Sequence, residues 1–468
     1  MGGDGEALVG DPRRALRHAR EGRARGRGDA AFDPASDATP DADVGRGEVR
    51  ALRRAMDARS VPSRRFAGIA AAFASALVAT ACSREAPPPP QQAATPPPHA
   101  APPPRPEPTP EERELEKTAS ESLAWMVTNQ NKEGSWGSHE SPRPIEVLAD
   151  VPGSHQAFQV ATTGLSIVAL DGYPTDSAEK TQAVDRAIDW MLDHFDVKRA
   201  NGMEHYNVWS FGYGLQAFAE HLLAHPQDVR AEKIKAACRR LVEKLGMYQT
   251  LDGGWGYLSL GEVPTFQPSE TSMSFTTATI VVAMDRAKKI GIELPPKLVA
   301  RAIENLERNR LPDGAFLYGD YLKYRPRMGV NMIKGSACRT PACQYALMLF
   351  GEKVTQDEQV KGLEELLFRQ ACFQRAALRR PIPHESWYQV SGYFYLYGHA
   401  YAAYIIDGLP KEKQAKYWKA LVDATKYCRE PDGSYWDYPL YSYHKPYGTA
   451  FALMSLSGAM KSTAVPAR

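Results

Sequence analysis

Gly134-Ser135-Trp136-Gly137 returns as Gly253-Gly254-Trp255-Gly256, as Gly314-Ala315-Phe316 and as Gly433-Ser434-Tyr435-Trp436. An acid precedes each glycine: Glu133, Asp252, Asp313 and Asp432, at gaps of 119, 61 and 119 residues. That is one period of about 60 with two silent registers, near Ala200–Gly202 and Pro381–Trp387, and a fixed period of this size means stacked supersecondary units. Glu111 to Arg468 is 358 residues, which six such units fill without room for another domain.

Each unit reads as two helices around a polar loop. The first is amphipathic: Val184, Ala187, Ile188, Met191, Leu192 and Phe195 share one face, and Ile234, Ala237, Cys238, Leu241, Val242 and Leu245 repeat the pattern. The second carries no charge in Val160–Leu170, Ser272–Met284, Pro341–Phe350 or Gly448–Gly458, so it is buried on all sides. Half-wet outer helices and dry inner ones stack into two concentric rings. A ring also removes the ends that an open solenoid must cap. The expected fold is all-α, a single α6/α6 toroid over 111–468. In the repeated phrase, glycine permits a left-handed exit from the helix and the aromatic packs the turn on a neighbour.

The residues before the ring read differently. Segment 1–55 is rich in Arg, Asp, Gly and Ala and reads as disordered. From Met56 the chain looks like a secretory signal: Arg59, Arg64 and Arg65, then apolar Phe66–Val78, then small residues to Cys82. Translation is expected to start at Met56, with 56–81 the signal. Ala79-Thr80-Ala81-Cys82 resembles a bacterial lipobox, which implies lipid on Cys82, a tether to the cell envelope, and an outer-membrane destination favoured by Ser83. Residues 82–110, with Pro87–Pro90, Pro96–Pro98 and Pro102–Pro104, suit an extended spacer. A formal charge of +2 gives no electrostatic case for nucleic acid. Cys238, Cys338, Cys343, Cys372 and Cys428 show no CxxC spacing, and their pairing stays open.

Trp125-Met126, Gln130 and Gly134-Ser135-Trp136, then Gln249 and Gly253-Gly254-Trp255, resemble the QW repeats of squalene–hopene and oxidosqualene cyclases. Protein prenyltransferase β-subunits share the α/α toroid. The resemblance marks Trp125, Gln130, Trp136, Gln249, Trp255 and Trp436 as structural repeat residues. It implies an isoprenoid or lipid-like ligand in a central cavity of a monomer. The cyclases protonate substrate with Asp-x-Asp-Asp, which the repeat region lacks. Prenyltransferases hold zinc with Asp, Cys and His; here Cys338 and His399 fit, but Ser336 stands at the Asp position, so no metal or other cofactor is expected.

In such a ring the loops before the inner helices converge on the pocket. They hold the candidates for catalysis or headgroup binding: His155, His205, Glu270, Arg339, His399 and His444. Tyr393, Tyr395, Tyr397, Tyr401 and Tyr404 form a dense run that suits an isoprenoid tunnel or sugar stacking. The competing functions are a carbohydrate-active toroid enzyme, with carboxylates drawn from Glu270, Asp320, Glu385 and Asp437, and a non-catalytic envelope scaffold.

Overall fold

The computed structural model describes residues 107–139, 154–198, 206–257, 271–352, 354–371, 389–437 and 444–464. The signal, Cys82, the proline-rich spacer, Cys372 and both silent registers lie outside them. So does the rest of segment 1–106.

Outer helices are α1 (Pro110–Thr128), α3 (Ala178–His194), α5 (Ala231–Tyr248), α7 (Pro296–Asn309), α10 (Gln356–Glu364, prolonged by a π-turn over Glu365–Arg369) and α12 (Lys411–Thr425). Inner helices are α2 (Ser154–Asp171), α4 (Asn207–Ala224), α6 (Ser274–Lys289), α9 (Thr340–Leu349), α11 (Tyr395–Asp407) and α13 (His444–Ala464). A short helix, α8 (Ile333–Ser336), precedes α9. No strand occurs among the described residues, only the isolated bridges Arg310–Phe316 and Arg429–Tyr435.

The inner helices touch in chain order, α2 to α4 to α6 to α9 to α11 to α13, and α13 returns to α2. The ring is closed. Its dry inner layer follows from composition: every residue of α6 from Ser274 to Ala287 is buried. The outer stripe behaves as its periodicity predicts, with Ile234, Ala237, Cys238, Leu241, Val242 and Leu245 of α5 all buried. Each fully buried Ile, Leu or Val there contributes roughly 1.5–3 kcal/mol. Helix starts are fixed by Thr109 and Thr355, whose side chains form capping boxes with Glu112 and Glu358.

The pairing differs in phase from the outer-then-inner unit expected from sequence. Each inner helix packs on the outer helix after it, because short turns such as 172–177 and 290–295 join them, and α13 packs on α1. The last pair is therefore made from both ends of the ring. The long connections, which carry the glycine-aromatic phrase, all lie at the other end, where the inner helices begin.

That phrase is a joint between units. Gln130 Nε2 donates to Gly134 O and to Ala183 O of the next outer helix, both at 2.8 Å, while its Oε1 accepts from Arg186. Gln249 repeats this with Gly253 O at 2.8 Å, Leu298 O at 2.9 Å and Arg301 at 3.1 Å. Arg310 and Arg429 occupy the same register, and their outer-helix partners are Glu358 and Glu121. The polarity of the joint is thus reversed in two of the four joints that carry the phrase, and Glu121 on α1 receives the last one.

Trp136 and Trp255 are fully buried. Their ring N–H groups donate to Met126 O and Leu245 O, each at 2.8 Å, and Thr163 and Thr277 accept their backbone N–H groups at 3.0 Å. In the last unit Tyr435 holds this place, with its N–H 2.9 Å from Thr449 Oγ1. Trp436, the tryptophan marked from the sequence, sits one position later and is half-buried. The position is defined by its distance from glycine, so Tyr435 and Phe316 fill it where tryptophan is missing. Trp125 sits at the seam, its ring N–H 3.2 Å from Asp432.

Candidate functional site

The beginnings of the inner helices form an aromatic bowl. Phe158 on α2 meets Tyr206 at 4.6 Å between ring centres, and Tyr206 stacks on Tyr257 at 5.8 Å. Trp209 lies flat against Phe275 at 5.9 Å, and Phe275 contacts Phe394 at 4.5 Å and Tyr318 at 5.3 Å. The hydroxyls of Tyr257 and Tyr318 are 2.9 Å apart. Of these rings only Phe275 is fully buried; Phe158, Tyr206, Trp209, Tyr257, Tyr318 and Phe394 are each partly exposed. Half-open aromatic surface at the mouth of a dry ring is what an apolar or stacking ligand requires.

Tyr206 carries strain. Its φ is +69°, the only left-handed backbone among described non-glycine residues. A bulky residue held there costs roughly 1–3 kcal/mol, and such strain gathers at binding sites. The conformation turns the chain into α4 and lets Tyr206 N–H reach Tyr257 O at 2.9 Å, which locks two walls of the bowl together.

Below the bowl, aromatic side chains fill the axis. Tyr397 on α11 crosses the ring to donate to Phe275 O at 3.1 Å, and its hydroxyl is 3.1 Å from Thr279 Oγ1. Tyr401 reaches the same threonine at 3.4 Å. Phe451 on α13 meets Tyr213 at 6.2 Å and Tyr397 at 5.8 Å. Burial pushes the Tyr213 and Tyr397 hydroxyls well above the ordinary phenol range, so they stay neutral. Of the tyrosine run read from sequence, Tyr397 and Tyr401 face the axis. Tyr395 turns outward instead, donating to Ala424 O at 3.1 Å. Deeper still, Arg286 links Glu220 at 3.2 Å to Tyr345 at 2.5 Å, and Tyr345 stacks on Tyr404. Burial raises the Glu220 carboxyl, against the pull of Arg286.

The charged candidates fare differently. Arg339 is fully buried and spends its guanidinium on backbone: Gly335 O at 2.7 Å, Phe316 O at 2.7 and 3.2 Å, and Val330 O at 2.5 Å. Burial lowers its pKa to about 10. It fastens the 310–336 connection, and its guanidinium lies over the Tyr318 ring, 5.6 Å from the ring centre. His399 is also fully buried, and its Nδ1 lies 2.7 Å from Tyr395 O, one turn back on its own helix. Cys338 and His399 gain no third metal ligand among the described residues. Burial raises the Cys338 thiol far above its usual range, which disfavours a thiolate ligand. Cys238, Cys338 and Cys343 are free thiols, and they and Cys428 are buried. The side chains of His155 and His444, and all of His205 and Glu270, lie outside the described residues. Asp437, a candidate carboxylate, is buried and accepts the N–H of Leu396 at 3.0 Å, capping α11. Sequence reasoning singled out none of the bowl rings; Tyr206 and Trp209, three apart at an inner-helix start, were the available signal.

Residues 107–321 match the family model described as Squalene-hopene cyclase C-terminal domain. Among solved structures, the type II terpene cyclase MstE from Scytonema is similar at 14% identity and TM-score 0.46, covering 75% of this chain and 99% of that one. A possible member of the GH105 family from Klebsiella pneumoniae is similar at 14% identity and TM-score 0.47, over 77% and 96%. Cellobiose 2-epimerase from Bacillus thermoamylovorans follows at 11% and 0.45, over 74% and 99%. No curated protein matches the chain. Over residues 107–321 the chain is similar to that cyclase family, and its described helices close into the double ring of an α/α toroid.

Proposed function

We propose that this toroid binds an elongated, largely hydrocarbon ligand of the isoprenoid class, end-on in the aromatic bowl. The observation that carries the reading is the continuous set of partly exposed rings, Phe158, Tyr206, Trp209, Tyr257, Tyr318 and Phe394, above a dry axis. Aromatic faces attract methyl-bearing chains and stabilise positive charge developing on them. The sequence has no Asp-x-Asp-Asp to start a cyclisation, so binding, transfer or a different chemistry fits better than squalene cyclisation. Cys82 and the proline-rich spacer would present the bowl at a lipid surface, where such ligands reside. No helix among the described residues is long and apolar enough to cross a membrane.

A carbohydrate ligand is the second reading, favoured by the flat stacking surfaces of Trp209 and Tyr206. It asks for a pair of available carboxylates, and Asp437 is already committed to capping a helix. The two readings separate by calorimetry on the full chain with geranylgeraniol in detergent and with a neutral oligosaccharide. Geranylgeraniol should bind, and Trp209→Ala should weaken it about tenfold, the equivalent of about 1.4 kcal/mol. Binding of the oligosaccharide alone, or equal affinity in Trp209→Ala, would overturn the proposal.

A further inference from the structure

At the end of the ring away from the bowl, two inner helices bring a second set of groups together. Asp171 is the last residue of α2. His221 lies in the last turn of α4 and His225 follows its end, so the two imidazoles are spaced i, i+4 on one face. One ligand atom from each of the three residues lies within 4.8 Å of the others. His221 Nδ1 is 2.8 Å from Asp171 Oδ2, and His225 Nε2 is 3.2 Å from Asp171 Oδ1.

The far side of His221 is also fixed. Its Nε2 is 3.0 Å from Asp228 Oδ2. Arg230 holds that carboxylate through a side-chain contact at 2.6 Å and a backbone N–H at 2.6 Å. Asp228 is thus held in place as an outer partner of His221. Both oxygens of the Asp171 carboxylate meet an imidazole, one from His221 and one from His225.

We propose that Asp171, His221 and His225 bind a divalent transition-metal ion of the zinc(II) class, with Asp228 as the group that orients His221. Two imidazoles and a carboxylate are a donor set suited to such ions, and an outer carboxylate on a ligating histidine is the usual support. Three protein ligands leave a coordination position open. Asp171, His221 and His225 line a surface pocket of about 340 Å³, together with Asp176, Lys180 and Asp185. His221 is nearly buried, whereas the His225 side chain, just past the end of its helix, is 49% exposed. The ion joins α2 to α4 where no backbone link does.

The test uses the full chain, stripped with chelator and titrated with cobalt(II) followed by absorption, and with zinc(II) by calorimetry. One equivalent should bind, with the d–d bands of a nitrogen and oxygen site. His225→Ala, an exposed change that leaves the ring packed, should lose that equivalent. Asp228→Asn keeps the shape and should weaken binding about 10–100-fold. Both variants are checked for unchanged far-ultraviolet circular dichroism. Absence of a stoichiometric equivalent in the unaltered chain overturns the proposal. So does wild-type affinity in His225→Ala, or a thiolate charge-transfer band that would put the ion on a cysteine.

Discussion

Replacing Trp255 by alanine tests whether the repeated phrase holds the ring together. The side chain is fully buried between units, and its N–H closes the end of α5 on Leu245 O at 2.8 Å. A buried tryptophan hides roughly 150–250 Å², worth about 4–6 kcal/mol at roughly 25 cal/mol per Å². A compact unfolded chain already hides part of that area, so about 3–5 kcal/mol remains, which is the range for large aromatic truncations. Trp255→Phe separates packing from polarity. It keeps most of the apolar area and leaves Leu245 O unpaired, a loss of about 1 kcal/mol for the hydrogen bond. Equilibrium urea unfolding, followed by far-ultraviolet circular dichroism, reads both variants. The packing argument fails if alanine costs less than about 1 kcal/mol. It also fails if phenylalanine costs as much as alanine, since the hydrogen bond would then be the whole effect.

Gly253→Ala should destabilise by more than the roughly 1–2 kcal/mol of a left-handed backbone alone, because its φ is +94° and the new Cβ would lie 2.5 Å from Arg301 O; the same urea titration measures it, and a neutral result would refute the close approach. Asp432 is held well below the usual carboxylate range by Lys445 and Ser434 although burial opposes them. Its contribution is therefore present above the ordinary value of 3.8 and lost as pH falls through and below it, and Asp432→Asn should flatten the acid limb of the stability curve. Cys82→Ala should abolish incorporation of a fatty-acid probe in bacteria; equal labelling of both chains would end the lipoprotein reading.

The ring was legible because burial writes itself into periodicity. Charge-free stretches such as Ser272–Met284 have no solvent face to encode, and the glycine-aromatic phrase marks every described joint. The phase of the pairing was harder, since short and long connections look alike until the helix ends are known. Site residues were least legible. Arg339 has the composition of an anion ligand, but whether a guanidinium faces a cavity or four backbone carbonyl contacts depends on the 310–336 connection, which has no period. His399 lies on an inner helix, and nothing local tells that its ring folds back on Tyr395 O. The Asp171 cluster was within reach: His221-x-x-x-His225 with Asp228 just beyond is a visible pattern. The third ligand comes from a different helix 50 residues away, which sequence spacing does not reveal.

The seam between α1 and the last unit sets a schedule for synthesis. Glu121 meets Arg429 across 308 residues, and Ser122 donates to Gly433 O across 311. At about 5–20 residues per second, a ribosome needs roughly 15–60 seconds to make the partner that α1 waits for. Through that interval the apolar side of α1 and the open flank of α2 are sticky surfaces with nothing to cover them. The nascent chain is an unclosed arc until its final helix arrives, so a truncation near the C-terminus should leave an arc with two exposed ends, prone to aggregate, in place of a slightly smaller ring.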